Sequence, residues 1–180
     1  MTQAFHIFET VIGHAGLAWG EHGLIGCHLP EPQTDNVRAR MHKRFPEAVE
    51  TDAPPPAIEA AMTDIRRLLE GDKPMLTEVL IDEARVPEFN RRVYEIARAI
   101  PPGETLTYGE IAVKLGDKLL ARDVGAAMGA NPWPIVVPCH RVVAAGGKLG
   151  GFSARGGAQT KLKLLAIEGA PAAAQGDLFG

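Results

Sequence analysis

Residues 107–130 read TYGEIAVKLGDKLLARDVGAAMGA, and this stretch sets the plan of the second half of the chain. Thr107 is a helix-capping residue with Glu110 three positions on, the spacing of a capping box, and Ile111 and Leu115 supply the apolar side of the helix that follows. Gly116 and Asp117 turn the chain, and Leu120, Val124 and Met128 then recur at helical spacing. Helix, short glycine turn and helix is the shape of a helix-turn-helix, and equally of an ordinary αα-hairpin. The second helix is nearly bare. Gly125, Ala126, Ala127, Gly129 and Ala130 leave little side chain on it, the glycines lower its helix propensity, and Arg122 stands near its start. Close approach to another surface and tight helix packing both account for that composition.

Working outward, Phe89, Val93, Ile96 and Ala97 form a helical stripe between Pro87 and Ile100, which Pro101-Pro102-Gly103 stops. Further upstream, apolar stretches at 5–12, 15–19 and 23–29 are broken by Gly13-His14 and by Gly20-Glu21-His22-Gly23. That punctuation predicts a three-stranded antiparallel meander. Asn36 to Arg44 reads as a short charged helix. After Ala53-Pro54-Pro55-Pro56, the residues Ile58, Met62, Ile65 and Leu69 predict a second helix, closed by Gly71. Met75–Ile81 reads as another strand. The fold class is α+β: a small mixed domain with an antiparallel sheet over 1–85, a mostly helical domain with the helix-turn-helix over 86–169, and a flexible tail over 170–180.

The chain has 180 residues, 46% hydrophobic and 23% charged, ordinary values for a soluble domain pair. Its net charge of -3 argues at first against nucleic acid. The distribution says more: residues 1–90 carry 8 Lys/Arg against 15 Asp/Glu, whereas 91–160 carry 9 against 5. An acidic first half and a mildly basic second half fit a DNA-facing second domain of moderate, salt-sensitive affinity. No apolar run approaches the length of a membrane span, and the first residues lack the basic and apolar regions of an export signal. Cys27 and Cys139 are therefore expected as free thiols in a reducing cytoplasm. His6, His14, His22, Cys27 and His28 lack tight ligand spacing, so neither a metal nor a cofactor is expected.

Chemistry concentrates in residues 131–142, NPWPIVVPCHRV. A cysteine attacks as thiolate, and its pKa must fall from about 8.5 for reactivity at neutral pH. His140 and Arg141 follow Cys139 directly and offer an electrostatic setting for that. The apolar run Ile135–Val137 predicts a buried strand that delivers Cys139 at its end, while Pro132, Pro134 and Pro138 restrict the backbone. Generic chemistry leaves two readings open, a reactive nucleophile and a buried structural thiol.

The stretch closely resembles the active site of the O6-alkylguanine-DNA alkyltransferases, the methylated-DNA–protein-cysteine methyltransferases. Their hallmark Pro-Cys-His-Arg-Val, preceded by an Asn-Pro-x-Pro turn, is met at every position. The resemblance runs from about Phe89 to Gly169 and includes Ile100-Pro101-x-Gly103-x-x-x-Tyr108, Ala121-Arg122-x-Val124-Gly125 and Leu164-Leu165-x-x-Glu168-Gly169. The first half resembles the family only in plan. A Cys-His hydrolase lacks support in the remaining sequence, and lesion-binding relatives without activity replace the cysteine that this chain keeps.

The resemblance implies a single-turnover repair reaction on a monomer, in which an alkyl group passes from O6-alkylguanine of a DNA duplex to Cys139 after base flipping. His140 would act through a water as base, oriented by Glu168, and Asn131 would tie the helix-turn-helix to the active-site turn. Arg122 would fill the gap left by the extruded base. Tyr108 would press on the phosphate backbone and donate its hydroxyl to the flipped guanine. Thr107, Ala126, Ala127, Gly129 and Arg141 would join the DNA contacts. Met128, Pro134, Val142, Phe152 and Ser153 would line the pocket, with the carbonyls near Cys139 and Val142 reading the guanine amino group. Departures from the family pattern are Asp123 after the arginine, Asn90 and Tyr94 ahead of the helix-turn-helix, and the lengthening Ala154-Arg155 after Ser153.

At the end of the chain, Gln175-Gly176-Asp177-Leu178-Phe179 resembles the pentapeptide by which bacterial proteins bind the replicative sliding clamp. Gln175, Asp177, Leu178 and Phe179 match it; Gly176 stands where leucine is usual. An extended tail of this kind would seat Leu178 and Phe179 in an apolar groove.

Overall fold

The computed structural model describes residues 2–147 and 157–171. Three antiparallel strands, β1 (Ala4–Thr10), β2 (Gly13–Gly20) and β3 (Gly23–Glu31), form the expected meander. A two-residue strand β4 (Val49–Glu50), unforeseen in the sequence, adds in parallel to β1, giving the sheet order β3-β2-β1-β4. Side chains alternate across this sheet. Phe5 and Ala18 face helix α1 (Thr34–Arg44) and pack with its Val37 and Met41. Phe8, Leu17, Trp19, Leu24 and Cys27 face the other way, toward the larger core.

That larger core runs through both halves of the chain. Ile58, Ile65 and Leu68 enter it from helix α2 (Pro56–Leu69), which has proline in its first turn as the sequence predicts. Val93 and Tyr94 enter from α3 (Glu88–Arg98), Ile111 from α4 (Tyr108–Lys114), and Val124 and Met128 from α5 (Ala121–Gly129). Cys139 and Leu164 belong to the same cluster. Helix α6 (Gly157–Glu168) closes the described chain, and Ala170 just beyond it is buried against Val143 and Leu165. Among the described residues, no helix is long and apolar enough to cross a membrane.

The helix-turn-helix is α4 and α5, joined through Gly116 and a single 3-10 turn at Lys118–Leu120. The capping box forms as read: Glu110 N donates to Thr107 Oγ1, and Thr107 N donates to Glu110 Oε1, both at 3.0 Å. Such a cap contributes about 1 kcal/mol to a helix of only seven residues.

Two expected strands are absent. Met75–Ile81 is irregular and touches β3 only at one bridge, Leu24 to Ile81. The crossing is so close that a Cβ on Gly23 would stand 2.8 Å from Leu80 O. Ile135–Val137 is likewise no strand: Pro134 and Val137 bridge across a tight turn, and Ile135 takes a φ of 79°. A proline on each side removes the donors a strand needs. In their place a short parallel pair, β5 (Leu106–Thr107) with β6 (Val142–Val143), ties the start of α4 to the segment just after Cys139.

Candidate active site

Cys139 begins a 3-10 turn, Cys139–Arg141, at the exit of the proline-rich loop. The loop is held by its own first residue. Asn131 Nδ2 donates to Val137 O at 2.8 Å, and Asn131 Oδ1 accepts from Trp133 N at 2.9 Å. Val137 N donates to Trp133 O at 2.8 Å and closes the turn. These bonds hold Ile135 in a left-handed conformation that costs a β-branched residue about 1–3 kcal/mol. Asn131 N also reaches back to Met128 O, so one residue links the end of α5 to the loop.

The thiol is buried, and burial raises its pKa. A hydrogen bond from Asn131 and the charge of Lys161 act in the opposite direction. Lys161 is a buried cation of α6 that no motif in the sequence marks. Its Nζ donates to Val142 O at 2.7 Å, and burial lowers its pKa to about 8. The signal was present, because Lys161 stands seven residues before Glu168 and so on the same helix face. Val142 O, expected to face the guanine amino group, is thus already an acceptor; a carbonyl has two lone pairs and keeps one.

His140 is fully buried, and burial lowers its pKa, so the ring is neutral. Its Nε2 donates to Glu168 Oε2 at 2.8 Å. A neutral imidazole with its proton at Nε2 carries its free lone pair on Nδ1. That atom is buried and has no hydrogen-bond partner among the described residues. Burial alone would raise the pKa of Glu168, but hydrogen bonds from His140 and Arg141 outweigh it and hold the carboxyl at about 2.

Arg141 corrects an expectation. It is buried, with Nε and Nη2 on the two oxygens of Glu168 at 2.9 and 2.8 Å and Nη1 on Ile100 O at 2.7 Å. Every arm of the guanidinium is engaged inside the protein, which turns this side chain inward instead of toward a duplex. Ala127 is a second correction: it is buried, and its carbonyl accepts from Tyr94 Oη at 2.8 Å.

The outer face of α5 carries Arg122, Asp123, Ala126 and Gly129, all exposed. A Cβ on Gly125 would meet nothing within 4 Å, so the protein's own packing does not explain that glycine. Thr107 is engaged in its capping box. Tyr108, the first residue of α4, is half-buried; burial, then the nearby Cys139, raises its pKa and keeps the phenol protonated. Met128 and Pro134 are buried beside the loop, whereas Phe152 and Ser153 lie outside the described residues.

The arrangement joins a thiol, a neutral histidine with an available lone pair, and a small-residue helix bearing one arginine. The family model for the 6-O-methylguanine DNA methyltransferase DNA-binding domain matches residues 88–170. A methylated-DNA–protein-cysteine methyltransferase of Mycolicibacterium paratuberculosis is 40% identical over 147 residues, 81% of this chain and 86% of that protein. One from Methanothermobacter thermautotrophicus is 33% identical over 154 residues, 86% of this chain and 78% of that protein. Among solved structures, the Mycobacterium tuberculosis O6-methylguanine methyltransferase superposes with a TM-score of 0.72 at 32% identity, covering 99% of both chains. The OGT of that organism, solved in complex with DNA, gives 0.71 at 31% identity, covering 96% of this chain and 98% of that one.

Proposed function

This chain belongs to the methylated-DNA–protein-cysteine methyltransferase family, and from that premise we propose how its own residues carry the reaction. The protein repairs DNA directly, moving an alkyl group from O6-alkylguanine to Cys139 in one irreversible turnover. The observation that carries the residue assignment is the buried Nδ1 of His140, left with a lone pair beside the reactive turn by the Nε2–Glu168 bond. His140 takes the thiol proton through one water. The Cys139 thiolate then attacks the alkyl carbon, the carbon–oxygen bond breaks, and the electron pair leaves on the guanine. Tyr108, held protonated, donates to the flipped base and eases the charge developing there.

Extrusion is required, because a thiolate cannot reach the alkyl carbon inside a stacked duplex. Arg122 occupies the vacated space, and the exposed Ala126 and Gly129 let α5 lie in a minor groove about 6 Å wide. Thr107 borders the phosphate backbone beside Tyr108, and Met128, Pro134, Phe152 and Ser153 shape the pocket. Asn131 stabilises the thiolate and fixes the loop. The work is cytoplasmic, where both cysteines stay free thiols.

Intact-mass measurement after incubation with an O6-methylguanine duplex tests the proposal. One methyl group on Cys139 is expected, with none on a Cys139→Ala variant; catalytic turnover, or no adduct, overturns it. The tail motif Gln175, Asp177, Leu178 and Phe179, outside the described residues, supports a second partner, the bacterial sliding clamp. Deleting residues 175–180 should abolish capture on immobilised clamp, and unchanged capture would sink that idea.

A further inference from the structure

The reactive loop is docked on the amino-terminal sheet by polar contacts that no motif of the second half accounts for. Pro132 O accepts two donors from the first half: Cys27 N of β3 at 2.9 Å and Arg44 Nη2, from the last residue of α1, at 3.1 Å. The other arm of Arg44, Nη1, donates to Cys27 O at 2.9 Å, so one planar guanidinium spans a carbonyl of β3 and a carbonyl of the loop. The next residue, Trp133, is 1% exposed, and its indole Nε1 donates to Leu24 O at 2.8 Å. Leu24 O also accepts from Asp82 N at 2.8 Å, which fixes the acceptor.

Trp133 connects onward in both directions. Its backbone N and O are the groups that Asn131 Oδ1 and Val137 N use to close the turn leading into Cys139. Its ring meets Tyr94 edge-on, with centroids 6.2 Å apart, and Tyr94 Oη holds Ala127 O of α5. Sheet, reactive turn and DNA-facing helix therefore share one buried side chain.

We propose that the amino-terminal sheet serves the transfer step as the anchor of the reactive turn, with Trp133 and Arg44 as positioning residues acting through Pro132. This gives the acidic first half a part in the chemistry without any contact to DNA. The indole proton fixes the height of the turn over β3, and the guanidinium fixes its lateral place. The strained Ile135 adds to the need for such a hold, since the bonds that keep its φ close on Trp133 N and O, and the sheet contacts keep that residue in place. The inference rests on Cys139 as alkyl acceptor, which the wild-type adduct tests separately.

The experiment is single-turnover transfer by full-length Trp133→Phe, Arg44→Met and the double variant, with an O6-alkylguanine duplex and with the free O6-alkylguanine base. Displacement of a reacting group lowers rate without lowering affinity, so each single variant should lose about tenfold in limiting rate on both substrates, with duplex affinity unchanged. Arg44→Lys, which keeps the charge but reaches one carbonyl at a time, should fall between Arg44→Met and wild type. The double variant should lose less than the product of the single losses, because both contacts hold one turn. A purely structural role predicts lower thermal midpoints with wild-type rates below them, and that result overturns the proposal. A loss confined to the duplex overturns it too, since it assigns Arg44 to phosphate. If Arg44→Met or Trp133→Phe fails to fold, Arg44→Lys alone decides by the same two-substrate comparison.

Discussion

His140 and Glu168 are joined by a 2.8 Å hydrogen bond in which the ring donates, and the same carboxylate holds Arg141 through both of its oxygens. The three side chains sit out of water at the junction of the reactive turn and the last helix. One carboxylate thus has two tasks. It fixes the tautomer that leaves His140 Nδ1 as acceptor, and it neutralises a buried guanidinium.

Replacing Glu168 by alanine should separate those tasks from mere packing. An uncompensated buried arginine costs about 3–5 kcal/mol of stability. The lost orientation of the base should lower the transfer rate by about 10²–10⁴-fold. Denaturant titration and single-turnover kinetics read the two effects. Glu168→Gln keeps an acceptor for one donor and should recover stability more fully than rate; equal recovery of both would contradict the tautomer argument.

The same carboxyl predicts a pH dependence of folding. Its folded pKa, about 2, lies below its ordinary value of 4.5. A group depressed in this way adds stability that is complete above the unfolded pKa and disappears as pH falls toward the folded one. Urea midpoints should therefore drop between about pH 5 and 2. The slope should be shallower in Glu168→Gln, and an unchanged slope would place the acid sensitivity elsewhere.

Lys161 predicts a pH dependence of the chemistry. A buried cation near Cys139 favours the thiolate, and Lys161→Met should slow transfer at neutral pH, where the lysine still carries its charge. A loss of about 1.4 kcal/mol of thiolate stabilisation makes the rate about tenfold lower there, and the two proteins should converge in alkaline solution. In the wild type the lysine itself loses its proton near 8, so its advantage fades there. Parallel pH profiles at a constant ratio would refute the electrostatic role.

Much of this arrangement is legible in the sequence. Glycine and proline punctuation located the meander, the capping residues located α4, and Pro138-Cys139-His140-Arg141 located the chemistry, because each is a local signal. What stayed hidden was set by distance in sequence. The run Ile135–Val137 has strand composition, yet its flanking prolines and the long-range hold of Trp133 on Leu24 make it a turn. Arg141 reads as a surface cation until Glu168, 27 residues away, is brought beneath it. Met75–Ile81 has strand composition, yet only Leu76, Val79 and Ile81 of it pack on the core, Leu80 stays exposed, and the segment bridges β3 at Ile81 alone. Arg44 carries no motif at all, since its two acceptors are main-chain carbonyls.

The departure at Asp123 gives the last prediction. Arg122 and Asp123 both stand exposed in the first turn of α5, with Val124 buried behind them. On a surface that meets phosphates, the acid opposes what the arginine favours. Asp123→Ala should tighten duplex binding a few-fold at low salt, and the gain should shrink as salt rises, because exposed charges are screened beyond about 10 Å at 0.1 M. Transfer from the saturated complex should not change, since Asp123 is exposed on the outer face of α5 while the reactive turn is buried. Arg122→Ala should do the reverse: weaker binding, a salt slope reduced by about one, and slower transfer from the bound state because the extruded base is no longer replaced. Binding isotherms at several salt concentrations, paired with single-turnover rates, distinguish the two residues. Equal affinity of Asp123→Ala and wild type across the whole salt range would show that this side of α5 does not face the duplex.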